Sequence, residues 1–212
     1  MAPTEIIERI DQVFFMLINH DSDHKMLDPV MIALQNPFSW TPVYGYLAYF
    51  SFRKWGKNGW KVIGLSAATV LLTIGIAFLL KTLVGRPGPS YNLDIKTHVR
   101  VLVGAVPKNS FPSMLAAIQL GLAGLWYRII QLMNARRWKW LWVWAGLICY
   151  AQVYVGAGYP IDVLFGALVG LIAGSLMIKP FRHIQNDSIR NLPIFKKIKN
   201  RELSENLQEN PV

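Results

Sequence analysis

Apolar residues along this chain do not alternate with polar ones; they collect in runs separated by short polar turns. Five runs have the length and composition of membrane spans: 41–52 (TPVYGYLAYFSF), 62–81 (VIGLSAATVLLTIGIAFLLK), 112–133 (PSMLAAIQLGLAGLWYRIIQLM), 141–155 (LWVWAGLICYAQVYV) and 161–178 (IDVLFGALVGLIAGSLMI). Residues 5–19 carry apolar positions at helical spacing, with Glu5, Glu8, Arg9 and Asp11 on another face. That pattern predicts an amphipathic helix lying at the interface, a candidate sixth span. The run VMIALQN at 30–36 is too short to cross a bilayer and is expected to dip into its surface. Past Lys179 the chain turns polar, first basic and then acidic, which predicts a surface helix followed by a disordered end. The expected fold is an all-α, polytopic membrane helix bundle. Its parts are an interfacial segment at 1–39, a transmembrane bundle at 40–179 and a cytoplasmic polar tail at 180–212.

The charged residues orient this bundle. Arg53, Lys54, Lys57 and Lys61 occupy one connection, Arg136, Arg137 and Lys139 the next on that side, and Lys179 and Arg182 open the tail. By the positive-inside rule these ends face the cytoplasm, and the loop at 82–111 faces outward together with the GAGYP turn. That outer loop nevertheless carries Arg86, Lys96, Arg100 and Lys108 against Asp94, an excess that marks the outward mouth as a candidate anion site. Tryptophans at 40, 55, 60, 126, 138 and 140 fall near span ends, as an interfacial belt would require. Small residues in GALVGLIAGS suit close packing of the last span on a neighbour. The chain is 53% hydrophobic and 16% charged, with a formal net charge of +10. In so apolar a chain, anionic lipid rather than nucleic acid is the expected partner of the positive charge. The lone Cys149 rules out a disulfide within one chain, and the start MAPTEIIERID has no basic region ahead of a short apolar core, so no cleavable signal peptide is expected.

Three segments converge on the outward mouth in this topology: KTLVGRPGPS where one span ends, NSFPSMLAA where the next begins, and AQVYVGAGYPID between the last two. In order and spacing they resemble the three motifs of the type 2 phosphatidic acid phosphatase superfamily of membrane lipid phosphatases, K-x6-R-P, P-S-G-H and S-R-x5-H-x3-D. The resemblance covers roughly residues 11–178. It implies a six-helix bundle that acts on lipid phosphates without a metal or cofactor. In members with the full set, the third-motif histidine attacks phosphorus and the aspartate orients it. The second-motif histidine protonates the leaving alcohol, and the lysine, arginines and serine hold the phosphate. Nucleophile, orienter and acid must lie within hydrogen-bond reach, and the charge on the phosphoryl oxygens needs fixed cations.

Set on that pattern, Lys81, Pro89, Pro112, Ser113 and Asp162 match, but the chemical positions do not. The first arginine position is Gly88, the second-motif Gly-His pair is Met114-Leu115, the third-motif Ser-Arg is Ala151-Gln152, and the nucleophile position is Gly158. Leu115 has no proton to give, Gly158 has no nucleophile, and Gly88 and Gln152 remove both bidentate phosphate clamps. Lys81, Arg86, Ser113 and Asp162 remain as residual phosphate-site candidates, and His98 in the outer loop is a surrogate nucleophile to be tested. Each survivor also has a plainer reading: Lys81 snorkelling at a span end, Ser113 starting a helix, Asp162 at a helix N-terminus paired with Lys81 or Arg86. His20 and His24 have metal-compatible spacing only if helical, and their turn-forming surroundings point to a solvated loop. The resulting expectation is a phosphatase scaffold without catalysis in a bacterial inner membrane. It would bind a lipid or polyprenyl phosphate headgroup, or serve as a partner subunit or homo-oligomer. The alternative is an active lipid phosphate phosphatase with a displaced site, acting on phosphatidic acid, phosphatidylglycerophosphate or undecaprenyl diphosphate.

Overall fold

The computed structural model describes residues 3–20, 25–104, 106–134 and 138–190. His24, the Arg136–Arg137 pair and the basic and acidic tail from 191 onward lie outside the described residues. Eight α-helices are described: α1 (Pro3–Asn19), α2 (Asp28–Gln35), α3 (Thr41–Trp55), α4 (Gly59–Val84), α5 (Met114–Asn134), α6 (Trp140–Tyr154), α7 (Pro160–Leu176) and α8 (Ile178–Arg190). Their starts follow local chemistry. Proline stands in the first turn of α2, α3 and α7, where a missing N–H leaves no bond unmade.

Among the described residues, three stretches are long and apolar enough to cross a membrane: Pro37–Val84, which takes in α3 and α4, then Met114–Met133 and Pro160–Ile184. At about 1.5 Å per residue, α4 with its 26 residues is about 39 Å long. Helices α3 and α6 have 15 residues each, about 22 Å, and fall short of the roughly 20 residues a hydrocarbon core requires. The five apolar runs are thus all helical but unequal in reach. The outer surface is apolar as lipid contact demands, with Leu71, Phe78, Leu83, Val143 and Leu164 exposed.

The tightest contact in the bundle is between α5 and α7. Gly166, Gly170 and Gly174 lie one turn apart on α7, and a Cβ at any of them would collide with the carbonyl of Ser113, Ala117 or Gly121 respectively. The small-residue pattern in GALVGLIAGS therefore brings backbone onto backbone. Within α4 the hydroxyls of Ser66, Thr69 and Thr73 return to the carbonyls of Val62, Leu65 and Thr69, so these polar side chains are satisfied inside their own helix.

At the basic end, Trp55 packs on Phe181 of α8 at 5.7 Å and Phe50 on Trp138 at 5.1 Å. The turn between α3 and α4, the start of α6 and α8 therefore meet at one end. This changes the tryptophan belt. Trp60 and Trp140 are exposed as a belt requires, but Trp126 is buried, and Trp40, Trp55 and Trp138 pack against the interior aromatic cluster. The six rings are thus divided between interface and core, two exposed and four turned inward.

The loop at 82–111 docks on the opposite end. Gly88 N–H donates to the Lys108 carbonyl at 2.8 Å and Ser110 N–H to the Arg86 carbonyl at 3.0 Å, closing the base of the loop. Its far side lies across the turn after α6, where Gly156 has φ +81° and a Cβ would stand 2.7 Å from the Arg100 carbonyl. Only glycine accommodates both that backbone angle and that approach. Helix α1 packs on α6 and α7 with Asp11, Phe15 and Asn19 buried inward, while Ile6, Ile10, Val13 and Leu17 stay exposed.

Candidate functional site

The three motif segments meet at the loop-covered end, around a cavity of about 700 Å³. Its polar lining comes from Gln35, Asn36, Lys81, Ser110, Ser113 and Gln152, and its apolar wall includes Leu102, Val103, Met114, Leu115 and Ile118. Lys81 ends α4, is half-buried, and donates to the Asn109 carbonyl at 2.7 Å. The loop base described above places that carbonyl. Ser113 precedes α5 and accepts the Ala116 N–H at 3.3 Å, the helix-starting role of an N-cap serine. Its own N–H donates to the Asp162 carbonyl at 2.9 Å, which ties the start of α5 to the start of α7.

Asp162 and Arg86 do not belong to this lining. Asp162 is fully buried, and Arg86 Nη1 donates to its Oδ1 at 2.7 Å. Its Oδ2 accepts the Tyr159 N–H at 3.3 Å, closing the first turn of α7. Arg86 pairs at once with a second buried carboxylate: its Nη2 lies 2.8 Å from Asp11 Oδ2, close but not aligned as a hydrogen bond. The other Asp11 oxygen accepts the Ile161 N–H at 2.9 Å, so α1 supplies an anion to the N-terminus of α7. The guanidinium also stacks on the Tyr159 ring, 4.3 Å from its centroid. Burial alone would lower the pKa of Arg86; the charge of Asp162, and then the contacts with Asp11, outweigh it and raise the pKa above the ordinary value. Burial pushes the Tyr159 phenol up to about 12, so it stays neutral and accepts from Asn92 Nδ2 at 3.2 Å.

Four of the six altered positions, those of the missing arginines and histidines, divide by the room around them. Gly88 is buried, and a Cβ there would stand 2.8 Å from the Pro107 carbonyl, so the loop closes over the place an arginine would leave from. At Gly158 a Cβ would meet only Gln152 Cγ and Nε2, both at 3.8 Å, which is ordinary contact. The nucleophile position thus has room for a Cβ, and it faces the second arginine position. Gln152 is held there by Gln35, whose Nε2 donates to Gln152 Oε1 at 2.7 Å. Leu115 forms part of the apolar wall. His98 is exposed, pairs with the neighbouring Thr97 hydroxyl at 3.0 Å, and is not in the cavity lining.

Lys81, Ser113, Gln152 and Leu115 are thus gathered around one space, whereas Arg86 and Asp162 are drawn into an ion-pair network with α1. Sequence reading did not single out Asp11, Gln35, Asn109 or Tyr159 as site residues. Asn109 acts through its backbone and left no signal. Gln35 had one, a polar residue closing the apolar run VMIALQN, and Asp11 another, a carboxylate in phase with the buried Phe15 and Asn19.

Comparison with known proteins places this geometry in context. Residues 43–184 match the family model described as the PAP2 superfamily. The lipid A 4'-phosphatase of Bacteroides thetaiotaomicron is 30% identical over 160 residues, covering 70% of this chain and 67% of that protein. The lipid A 4'-phosphatase of Porphyromonas gingivalis is 23% identical over 186 residues, covering 86% and 77%. Among solved structures, Aquifex aeolicus LpxE superposes with a TM-score of 0.62 at 26% identity, covering 80% of this chain and 95% of that one. The PAP2-type phosphatidylglycerolphosphate phosphatase of Bacillus subtilis shares the fold, with a TM-score of 0.64 at 18% identity over 84% of this chain and 87% of that one.

Proposed function

This chain belongs to the PAP2 superfamily, and on that premise we propose that it is a non-catalytic member, an integral membrane protein that holds a lipid headgroup without hydrolysing it. The observation that carries this reading is the separation of cavity from chemistry. A cavity of about 700 Å³ persists between Lys81, Ser113 and Gln152, but Gly158 and Leu115 stand where a nucleophile and an acid are needed. The remaining parts have taken other partners. Asp162, retained at the orienter position, is filled by Arg86 and the Tyr159 N–H. Without a nucleophile, electrostatic support alone has no bond-making step to accelerate.

The relatives named lipid A 4'-phosphatase favour lipid phosphates as the class of molecule to test. The cavity end is read as outward-facing in a bacterial inner membrane, because the basic ends of α3, α4 and α6 meet at the other end. The purified chain in detergent is to be offered phosphatidic acid, phosphatidylglycerophosphate, undecaprenyl diphosphate and lipid A. The expected result is a rise in unfolding temperature with at least one lipid and phosphate release no greater than detergent blanks. Release that disappears in Asp162→Asn would instead establish an active phosphatase with a displaced site.

A further inference from the structure

Along α5, Leu115, Ile118, Leu122 and Trp126 recur every three or four residues and so share one face of the helix. Leu115 and Ile118 line the cavity. Ile118, Leu122 and Trp126 line a second space, a groove of about 360 Å³ between α3, α4 and α5. Ile118 belongs to both walls, so the two spaces adjoin. Helix α5 starts at the cavity, and from Ile118 to Trp126 the row leads about 12 Å away from it along the helix.

The groove lies at hydrocarbon depth. Its lining falls within two of the membrane-crossing stretches, Pro37–Val84 and Met114–Met133. Leu47, Leu122 and Trp126 in it are buried, whereas Ala67 is exposed and Ile63 is half-buried, so it is open on the lipid side. Both hydroxyls in the lining already have partners. Ser66 donates to the Val62 carbonyl at 3.0 Å, and the Tyr44 hydroxyl donates to Gln119 Oε1 at 3.1 Å and accepts from Gln119 Nε2 at 2.9 Å. A polar occupant would leave its own groups unmet against such walls, and a hydrocarbon chain has none to leave. The neighbouring cavity supplies what a chain alone lacks, the Lys81 ammonium and the polar groups of Ser110 and Ser113.

We infer that the groove between α3, α4 and α5 holds one acyl chain of the same lipid whose phosphate sits in the cavity, which makes the ligand an acyl lipid fixed at headgroup and chain. This rests on the reading of the cavity as a lipid headgroup site. The test is photo-crosslinking of the full chain in lipid nanodiscs, mapped by peptide mass spectrometry. One probe is phosphatidic acid with a diazirine in the middle of one chain. The other is diacylglycerol with the same chain and no phosphate. Phosphatidic acid is expected to label residues 63–70 and 118–126 about fivefold more than diacylglycerol, the size of one net hydrogen bond to the phosphate. Leu164 and Leu168, exposed on α7 and outside both linings, should be labelled alike by the two probes. Lys81→Gln should bring groove labelling by the two probes together, and Ala67→Phe, which fills the groove from its exposed side, should remove the excess with Lys81 intact. Equal groove labelling by both probes in the unaltered protein, which needs no variant to fold, would make the groove ordinary lipid boundary and overturn the inference. Absence of groove labelling by either probe would show another occupant, such as a partner helix, and overturn it as well. In both of those cases a rise in unfolding temperature with phosphatidic acid leaves the headgroup reading standing, and no rise overturns the two together.

Discussion

At Arg86 one guanidinium neutralises two carboxylates that, among the described residues, have no other cation within hydrogen-bond distance. Removing one partner of a buried pair leaves an uncompensated charge, which costs about 3–5 kcal/mol. Arg86→Ala should therefore lower the unfolding midpoint in detergent sharply, and adding Asp11→Asn and Asp162→Asn should recover much of the loss. A midpoint within a degree or two of the parent would show that the network contributes little. The glycines at 88 and 158 give a second prediction. Gly158→His should fold normally and release no phosphate, since its Cβ has room and Leu115 still has no proton to donate. Gly88→Arg should reduce the folded yield, because its Cβ runs into the Pro107 carbonyl. Good expression of Gly88→Arg, or phosphate turnover by Gly158→His alone, would contradict this account. The motif frame, Lys81, Ser113 and Asp162, was legible in the sequence because those residues sit at fixed spacing within their segments. Asp11 and Gln35 were not, because they reach the site from α1 and α2 across 75 and 117 positions of chain to Arg86 and Gln152. No local spacing records such contacts.

Among the elements, α5 and α7 are bound by the glycine row Gly166, Gly170 and Gly174, and two of the three motif segments around the cavity lead into these helices. Gly170→Ala should destabilise by at least about 1–3 kcal/mol, the usual range for overpacking, and should also loosen the cavity. Gly64→Ala, on α4 with nothing within 4 Å of its Cβ, should be neutral or stabilising by up to about 1 kcal/mol. Unfolding curves of the two variants side by side check the pair, and equal effects would show that helix propensity rather than close approach governs both. The close packing of the last span was readable from its small residues, and which helix it met was not, since any small-residue face would serve. The apolar runs gave the helices but not their reach. A 12-residue run and a 20-residue run look alike in composition, yet α3 and α6 end after 15 residues. The tryptophans were misassigned for a related reason, because nearness to a span end does not say whether a ring turns outward or into the bundle.

In the whole molecule, one end carries the basic connections, and the other carries the cavity beside the 82–111 loop on a PAP2 scaffold. The orientation has its own check. In spheroplasts, Thr97→Cys on the exposed outer loop should react with a membrane-impermeant thiol reagent, and Lys57→Cys only after permeabilisation. The reverse labelling order would invert the topology. The central claim, that the lipid site persists while the phosphatase chemistry has gone, is tested most directly by phosphorus NMR. Purified protein is mixed with phosphatidylglycerol and phosphatidic acid and followed over hours. The account predicts that lipid phosphorus resonances broaden in the presence of the protein and regain their free width when Ala157→Trp fills the cavity, with no inorganic phosphate signal. An inorganic phosphate resonance that grows with the unaltered protein and is absent with Asp162→Asn would contradict it.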